Sequence, residues 1–323
     1  MKAAIVTAPG TAPVWGEFQD PVPHNGFELL TVSAAALTNL TRGRAAGSHY
    51  SADNKYPFVP GVDGVGTTQE GRRVYFVAPE APFGAMAEKT LVDVRHTIPL
   101  PENLEDVAAA ALANPGMSCW AALVERARFQ RGETVLINGA TGSSGTVAVQ
   151  VARHLGAGKI IVTGRNPEQL DSLRRLGADL VIPFHLSPQH PEGLDQFESA
   201  LTEEFAHGID VVVDYLWGTS ARTIIIAIAK ATEEAHAVRF VQVGEASREP
   251  VELPAAALRS SAIQIMGSGL KSVPFPKLLE AIDKTFALAA HNGLYLPTHA
   301  VSLSTIARTW NAPGKPRLVY TLP

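Results

Sequence analysis

The stretch TVLINGATGSSGTVAVQVARHLGA, Thr134 to Ala157, reads as a strand, a turn and an amphipathic helix. Its turn carries the spacing Ala140-x-Gly142-x-x-Gly145, one residue short of the G-x-G-x-x-G dinucleotide fingerprint. A small first residue permits the tight turn, Gly142 lets a pyrophosphate approach the backbone, and Gly145 lets helix and strand pack closely. The helix start then offers free N–H groups and partial positive charge to phosphates. Taken alone, the turn also fits a helix packed on a sheet with no ligand. A further reading is hydrolytic, since TGSSG (Thr141–Gly145) is one substitution from the G-x-S-x-G elbow, with Ser143 as nucleophile. Asp214 followed by His236 or His299 would complete the order Ser, Asp, His. Against it, an elbow normally follows several sheet strands, whereas this turn follows the first. A Walker loop is excluded, because no Gly-Lys-Ser/Thr follows.

Working outward, short branched runs recur downstream: TVLING, KIIVTG, DLVIPF, IDVVVDYL, RFVQVG and IQIMGSG. Each is apolar on both faces, as strands inside a parallel sheet are. Six such strands satisfy a doubly wound nucleotide fold. The segments between carry helix signals. NPEQLDSLRRLGA has Asn166 as N-cap, Pro167 at the first helical position, an apolar face of Leu170, Leu173 and Leu176, and Gly177 as a stop. LDQFESALTEEF places Leu194, Phe197, Leu201 and Phe205 on one stripe.

Residues 1 to about 110 have another texture, short strands separated by Pro and Gly: KAAIVTAP, FELLTVSAAAL, RRVYFVAP and AEKTLVDVRHTIPL. They predict a compact, mostly β unit. The last 50 or so residues return to one helix and short strands, expected to pack back on that first unit. Length, 323 residues, suits two domains, and 46% apolar with 18% charged residues suits well-buried cores rather than disorder. A net charge of -4 without basic runs gives no footprint for nucleic acid or an anionic membrane. The single cysteine, Cys119, excludes an intrachain disulfide or a cysteine-based zinc cluster and is expected in the core. No signal-peptide pattern opens the chain, and no apolar run is expected to reach the roughly 20 residues that span a bilayer. A cytoplasmic protein is the expectation.

One residue narrows the ligand. About 20 residues past the turn, where an acid would hold the ribose hydroxyls of NAD, the chain has Arg165 in TGRNPEQL. A guanidinium cannot accept those hydrogen bonds but suits a 2′-phosphate, which predicts NADPH over NADH. Without the glycine turn, Arg165 would be read as a solvated surface residue.

At this point the chain resembles the medium-chain dehydrogenase/reductase superfamily over nearly its whole length. The carrying stretches are PFVPGVDGVG, FGAMAEKTLV, LPENLEDVAAAALANPGMSCWAAL, GETVLINGATGSSGTVAVQVARHLGA, RRLGAD and VVVDYLWG, in the expected order. It is most similar to the zinc-free quinone oxidoreductase branch. That resemblance implies an α/β protein with a chaperonin-10-like β-rich catalytic domain (1–112 and 270–323), a Rossmann doubly wound parallel sheet (113–269), an active site in the cleft between them, and a homodimer. It further implies that Thr141, Gly142, Ser143, Ser144 and Gly145 hold the pyrophosphate and that Thr163, Gly164 and Arg165 hold the 2′-phosphate. Val243, Gly244, Gly267 and Ser268 are implied to border the nicotinamide. Phe184 departs from the branch, whose members carry a tyrosine there, so phosphate binding falls more heavily on Arg165.

The departures from zinc alcohol dehydrogenases bear on chemistry. Their GHE motif reads GVD here, with Val62 in the place of the zinc-binding histidine, and their cysteine ligand falls at Asn39. Valine has no lone pair to give a metal, so no metal site is expected. Without a Lewis acid to polarise an alcohol, the suited acceptors are already electrophilic: quinones and α,β-unsaturated carbonyls. Matching positions imply that Asn39 bonds the nicotinamide ribose or the substrate oxygen and that Tyr50 donates to that oxygen. Their structural alternatives are a turn residue and a packing residue, and His49 is the weaker candidate beside them. The expected function is an NADPH-dependent, zinc-free reductase of a small quinone or enone. The alternatives kept open are a serine hydrolase using Ser143 and an NADPH-binding protein without turnover.

Overall fold

A computed structural model of the chain describes residues 1–323 apart from 54, 187–190, 315 and 323. In chain order the strands are β1 (Lys2–Ile5), β2 (Val14–Glu17), β3 (Phe27–Ala36), β4 (Asp63–Thr67), β5 (Arg73–Val77), β6 (Lys89–Asp93) and β7 (Thr97–Pro99). These are followed by β8 (Thr134–Asn138), β9 (Lys159–Gly164), β10 (Leu180–Pro183), β11 (Val211–Asp214), β12 (Ala237–Gln242), β13 (Ala262–Gly267), β14 (Thr298–Ser302) and β15 (Arg317–Thr321). The helices used below are α1 (Asn39–Ala45), α2 (Asp106–Trp120), α3 (Ser143–Leu155), α4 (Pro167–Ser172), α5 (Pro191–Ala206), α6 (Gly218–Ala231), α7 (Ala255–Arg259) and α8 (Phe275–Asn292). Two compact units result, Met1–Ala113 with Asp283–Pro323, and Asn114–Ile282. The second boundary thus falls inside α8, not at residue 270, because a helix is a poor place for the sequence to mark a change of unit.

In the first unit, β3 is the hub of an antiparallel sheet, pairing β4, β6 and β15. Pairing of β15 with β3 is what returns the tail to this unit, and β14 lies parallel beyond it. AEKTLVDVRHTIPL is two strands, β6 and β7, separated by a 3₁₀ turn over Val94–His96. Strand β4, DGVGT, has no hydrophobic alternation, and its glycines explain why. A Cβ on Gly66 would stand 2.6 Å from the Thr31 carbonyl oxygen, and one on Gly64 2.9 Å from that of Ala34. The core of this unit gathers Leu30, Val32, Phe76, Met86, Trp310 and Tyr320.

The second unit is a six-stranded sheet in the order β10-β9-β8-β11-β12-β13, every pair parallel. Renumbered within the unit this is 3-2-1-4-5-6, the doubly wound order. Strand β8 shows why these runs are strands: Val135, Leu136 and Ile137 are fully buried, with no face left for water. Asn166 caps α4 by accepting the Gln169 N–H at 3.0 Å, and the segment ends in a 3₁₀ turn at Gly177, φ 115°. The α5 stripe of Phe197, Leu201 and Phe205 packs with Ile182, Phe184 and Phe240 on one face of the sheet.

The expectation about apolar length needs correction. Helix α2 continues through a π-helical turn, Ala121–Arg126, so Asp106–Arg126 is 21 residues with a window of mean hydropathy 1.4, long enough for a bilayer. Pro115 and Gly116 interrupt the pattern along the sequence, yet the helix runs through them. Of that window 67% is buried inside the protein, as in a core helix. Cys119 lies within it, fully buried, with its thiol pushed well above the ordinary range by burial.

Candidate functional site

The carboxyl edge of the parallel sheet is held from beneath by a closed polar network. Asn138, at the end of β8, donates from Nδ2 to Asp214 Oδ1 at 2.8 Å and to Ser220 Oγ at 3.0 Å, and its Oδ1 accepts the Thr163 hydroxyl at 2.6 Å. Asp214 also accepts the backbone N–H groups of Leu216 and Trp217. Four side chains from β8, β9, β11 and α6 therefore lock the three central strand ends together. Burial pushes the Asp214 carboxyl up to about 6 against the pull of these donors. A satisfied buried network of this kind rigidifies what stands on it.

On that base sits the turn. Gly139, φ 81°, and Ala140 both donate their N–H groups to the Thr163 carbonyl, binding the turn to β9. The left-handed residue is thus Gly139, and the tight-turn role expected of Ala140 belongs one position earlier. A Cβ on Gly139 would also collide with Leu216 at 2.7 Å. Gly145 has its expected role, since a Cβ there would lie 2.7 Å from the Ala140 carbonyl oxygen. Gly142 is different. Its φ is an ordinary -72°, and the nearest atom to an added Cβ would be the Gly139 oxygen at 3.6 Å. Nothing in the protein forbids a side chain at this exposed position, so its bareness fits a cradle for a phosphate group. The backbone N–H groups of Ser143, Ser144 and Gly145 open α3 and have no partner within the helix by geometry.

At the end of β9, Gly164 is contacted by Thr141, whose Cγ2 would lie 3.2 Å from a Cβ there. Arg165 follows, exposed. Thr163 is corrected: its side chain is fully buried and its hydroxyl committed to Asn138, so it holds the edge together and offers nothing to a phosphate. Phe184, at the end of β10, is 5% exposed with its ring 4.8 Å from that of Phe197, a core residue. Val243 and Gly244 end β12, both N–H groups bonded to the Asp214 carbonyl, and a Cβ on Gly244 would meet the Tyr215 oxygen at 2.8 Å. Gly267 and Ser268 end β13, where Ser268 donates to the Gln242 carbonyl and Gly267 accepts from Arg126. Every residue expected around a dinucleotide, from Thr141 to Ser268, thus lies on the carboxyl edge of one sheet, where such sheets bind ligands.

Asn39 and Tyr50 belong to the first unit. Thr38 caps α1 by accepting the Thr41 N–H at 2.9 Å, which makes Asn39 its exposed first residue. Tyr50 is 66% exposed in the turn after α1, with its ring 4.2 Å from that of His49. Val62 stands where a zinc-binding histidine would be, and its carbonyl accepts the Ala78 N–H. Among the described residues, no three His, Cys, Asp or Glu side chains come together as metal ligands. The donor set at Val62 and Asn39 does not fit a catalytic zinc.

The hydrolase constellation does not assemble on His236. Ser143 is the first residue of a helix rather than a strained elbow. His236 bonds the Ile209 carbonyl and faces Asp210, at the opposite end of β11 from Asp214, whose carboxylate is already committed.

Residues 145–284 match the family model described as zinc-binding dehydrogenase. A probable NADPH-dependent quinone reductase of Emericella nidulans is 29% identical, over 96% of both chains. The chain is thus similar over nearly its whole length to a quinone reductase, and over residues 145–284 to the zinc-binding dehydrogenase family. Another relative, the 2-methylene-furan-3-one reductase of Solanum lycopersicum, is 33% identical over 48% of this chain and 44% of its own. The quinone oxidoreductase of Thermus thermophilus, solved also with NADPH, shares the fold of this chain with a TM-score of 0.80, 23% identity and full coverage of both chains. The architecture shared with that structure is a six-stranded parallel sheet, a mostly antiparallel seven-stranded sheet and a two-stranded ribbon of β1 and β2.

Proposed function

We propose that the protein is an NADPH-dependent reductase that transfers hydride to a small quinone or α,β-unsaturated carbonyl without a metal. The observation that carries this reading is the pairing of a bare, unobstructed Gly142 at the start of α3 with an exposed Arg165 at the end of β9. The first receives a pyrophosphate through the Ser143, Ser144 and Gly145 N–H groups. The second receives a 2′-phosphate through charge-assisted hydrogen bonds. Val243, Gly244, Gly267 and Ser268 border the nicotinamide, where small residues let a flat ring approach the backbone. NADPH supplies hydride from C4 of that ring, and the protein supplies orientation and hydrogen bonding to the acceptor oxygen. Asn39 and Tyr50 are the proposed donors, and both present exposed polar groups.

The names of the relatives, quinone reductase and furanone reductase, support the acceptor class. Valine in the histidine place supports metal independence. We further propose a cytoplasmic homodimer that engages neither membrane nor nucleic acid. The deciding experiment follows NADPH oxidation against a panel of quinones, enones and aldehydes, with metal analysis of the purified protein. Turnover of quinones or enones without stoichiometric zinc is expected. Tight NADPH binding with no consumption across the panel would favour a binding role instead, and zinc at one per chain would overturn the metal-free reading.

A further inference from the structure

The end of β13 is held by a side chain rather than by a second strand. Within the chain β13 has one strand neighbour, β12, with Gly267 opposite Gln242. Ser268 closes that ladder by donating its N–H to the Gln242 carbonyl at 2.8 Å. Successive residues of a strand direct their backbone groups to opposite sides, so Gly267 directs its carbonyl away from β12. The Arg126 guanidinium meets it there, donating from Nε at 2.8 Å. From Nη1 it also donates to the Ser272 carbonyl at 3.3 Å, so one side chain ties both ends of the segment 267–272. Inside that segment the Gly269 N–H donates to the Ser272 hydroxyl at 2.6 Å, and the Ser272 N–H to the Gly269 carbonyl at 3.0 Å. The loop is closed at its base and at its waist.

Arg126 stands on a fixed support. It ends the π-helical turn Ala121–Arg126, where the Ala127 N–H reaches back to the Ala122 carbonyl at 2.9 Å. A turn of that width carries one residue more than an α-helical turn, which rotates the positions after it by about 100° around the axis, and such turns recur at functional sites. Ala121, Ala122 and Leu123 are buried, and Ala121 packs with Val273 and Leu278 just beyond the loop. Packing joins the helix end to the loop, and what Arg126 adds is aim. Gly267 has no atom within 4 Å of the place a Cβ would take, so the surface beside it is bare backbone. The Ser268 ladder bond sets the position of that backbone on one side and Arg126 sets it on the other.

We propose that Arg126 is a positioning residue for hydride transfer: by holding the Gly267 and Ser272 carbonyls it fixes the backbone wall against which the nicotinamide ring lies. The proposal rests on the reading above that places the ring at Gly267 and Ser268, and its test separates the two. A lysine can reach one carbonyl but cannot hold both with a planar fork. The full chain would be compared as wild type, Arg126→Lys and Arg126→Ala. Calorimetry gives the affinities for NADPH and for 2′,5′-ADP, which lacks the nicotinamide, and fluorescence gives the nicotinamide emission of bound NADPH. With a quinone or enone that wild type reduces, kcat, the acceptor KM and the isotope effect on kcat with NADPH deuterated at C4 are read as well.

Arg126→Ala is expected to lower kcat about ten- to a hundredfold with acceptor KM within about threefold, the scale of a small misplacement of reacting atoms. The isotope effect should rise, the emission of bound NADPH should move towards that of the free nucleotide, and 2′,5′-ADP affinity should not change. Arg126→Lys is expected to fall between Arg126→Ala and wild type. Unchanged kcat, isotope effect and emission in Arg126→Ala would overturn the proposal, as would an equal loss of affinity for NADPH and 2′,5′-ADP, which marks a purely structural role. If wild type consumes no NADPH, the reductase reading falls and the emission of bound NADPH alone decides Arg126. If bound NADPH emits like the free nucleotide in wild type, the ring is not held at this edge, and both its placement and this proposal fall.

Discussion

The carboxyl edge of the parallel sheet and the segment of the first unit carrying Asn39 and Tyr50 present functional groups in opposite ways. On the sheet edge the groups proposed for the pyrophosphate are backbone N–H groups beside a bare glycine, set on a buried network that fixes three strand ends. On the α1 segment they are side chains, an exposed amide at a helix start and a phenol on a turn. On the proposed reading, pyrophosphate recognition is a property of chain path, whereas Arg165, Asn39 and Tyr50 would act as replaceable surface side chains. Substitution should therefore be damaging on the first and mild on the second.

Gly145→Ala is the strongest attempt to break that contrast. The added methyl meets backbone at Ala140, which cannot yield as a side chain would, so loss of soluble folded protein or more than about 3 kcal/mol of destabilisation is expected in denaturant unfolding. Asp214→Ala removes the acceptor for Asn138 and two backbone N–H groups, all buried, and should cost about 3 kcal/mol at neutral pH. This loss has a pH signature. Burial raises the native carboxyl from 3.8 to about 6, so the native state holds this proton more tightly than the unfolded chain. The stabilisation from protonation is fully present below the unfolded value and is lost as pH rises through about 6. The gap between wild type and Asp214→Ala should thus widen on going from pH 7 to about 4, by up to about 3 kcal/mol. A gap that stays constant or narrows would refute the assignment of the titrating group.

Gly142→Ala sharpens the comparison, because the protein has room for the methyl and a bound pyrophosphate would not. Stability should change by less than about 1 kcal/mol, while NADPH affinity falls more than about tenfold. Arg165→Ala should weaken NADPH by about tenfold or more with NADH little affected, read by nicotinamide fluorescence. Tyr50→Phe is the mildest, a fall in kcat of less than about tenfold with melting temperature unchanged, since the hydroxyl lies on an exposed turn. A larger effect from Tyr50 than from Gly142 would reverse the contrast.

What can be read in the sequence divides along the same line. The six strands follow from apolar runs buried on both faces, which leave a plain one-dimensional signal. The packing role of Gly145 and the proposed phosphate cradle at Gly142 follow from spacing. Gly139 escapes a motif counted from Ala140, although the Asn138-Gly139 pair to which it belongs is a turn signal in its own right. The Asn138 network is invisible in one dimension, since its members lie 25, 76 and 82 residues apart and meet only when parallel strands align. For the same reason Thr163 groups with the phosphate ligands on paper, as sequence gives no sign of which way a strand-end hydroxyl points. Strand β4 leaves no trace because its glycines show no alternation. The length of helix α2 is hidden because a proline inside a buried helix is tolerated by packing that a linear pattern does not show.

The inward turn of Thr163 has a consequence for how such a protein diversifies. Because the residue that secures the strand end faces the core, the exposed residue two positions on, Arg165, is relieved of that duty. Arg165 can be exchanged for an acid without disturbing the bonds that hold the turn. On the proposed reading of Arg165, one exposed substitution would switch the preferred nucleotide while the scaffold is inherited intact.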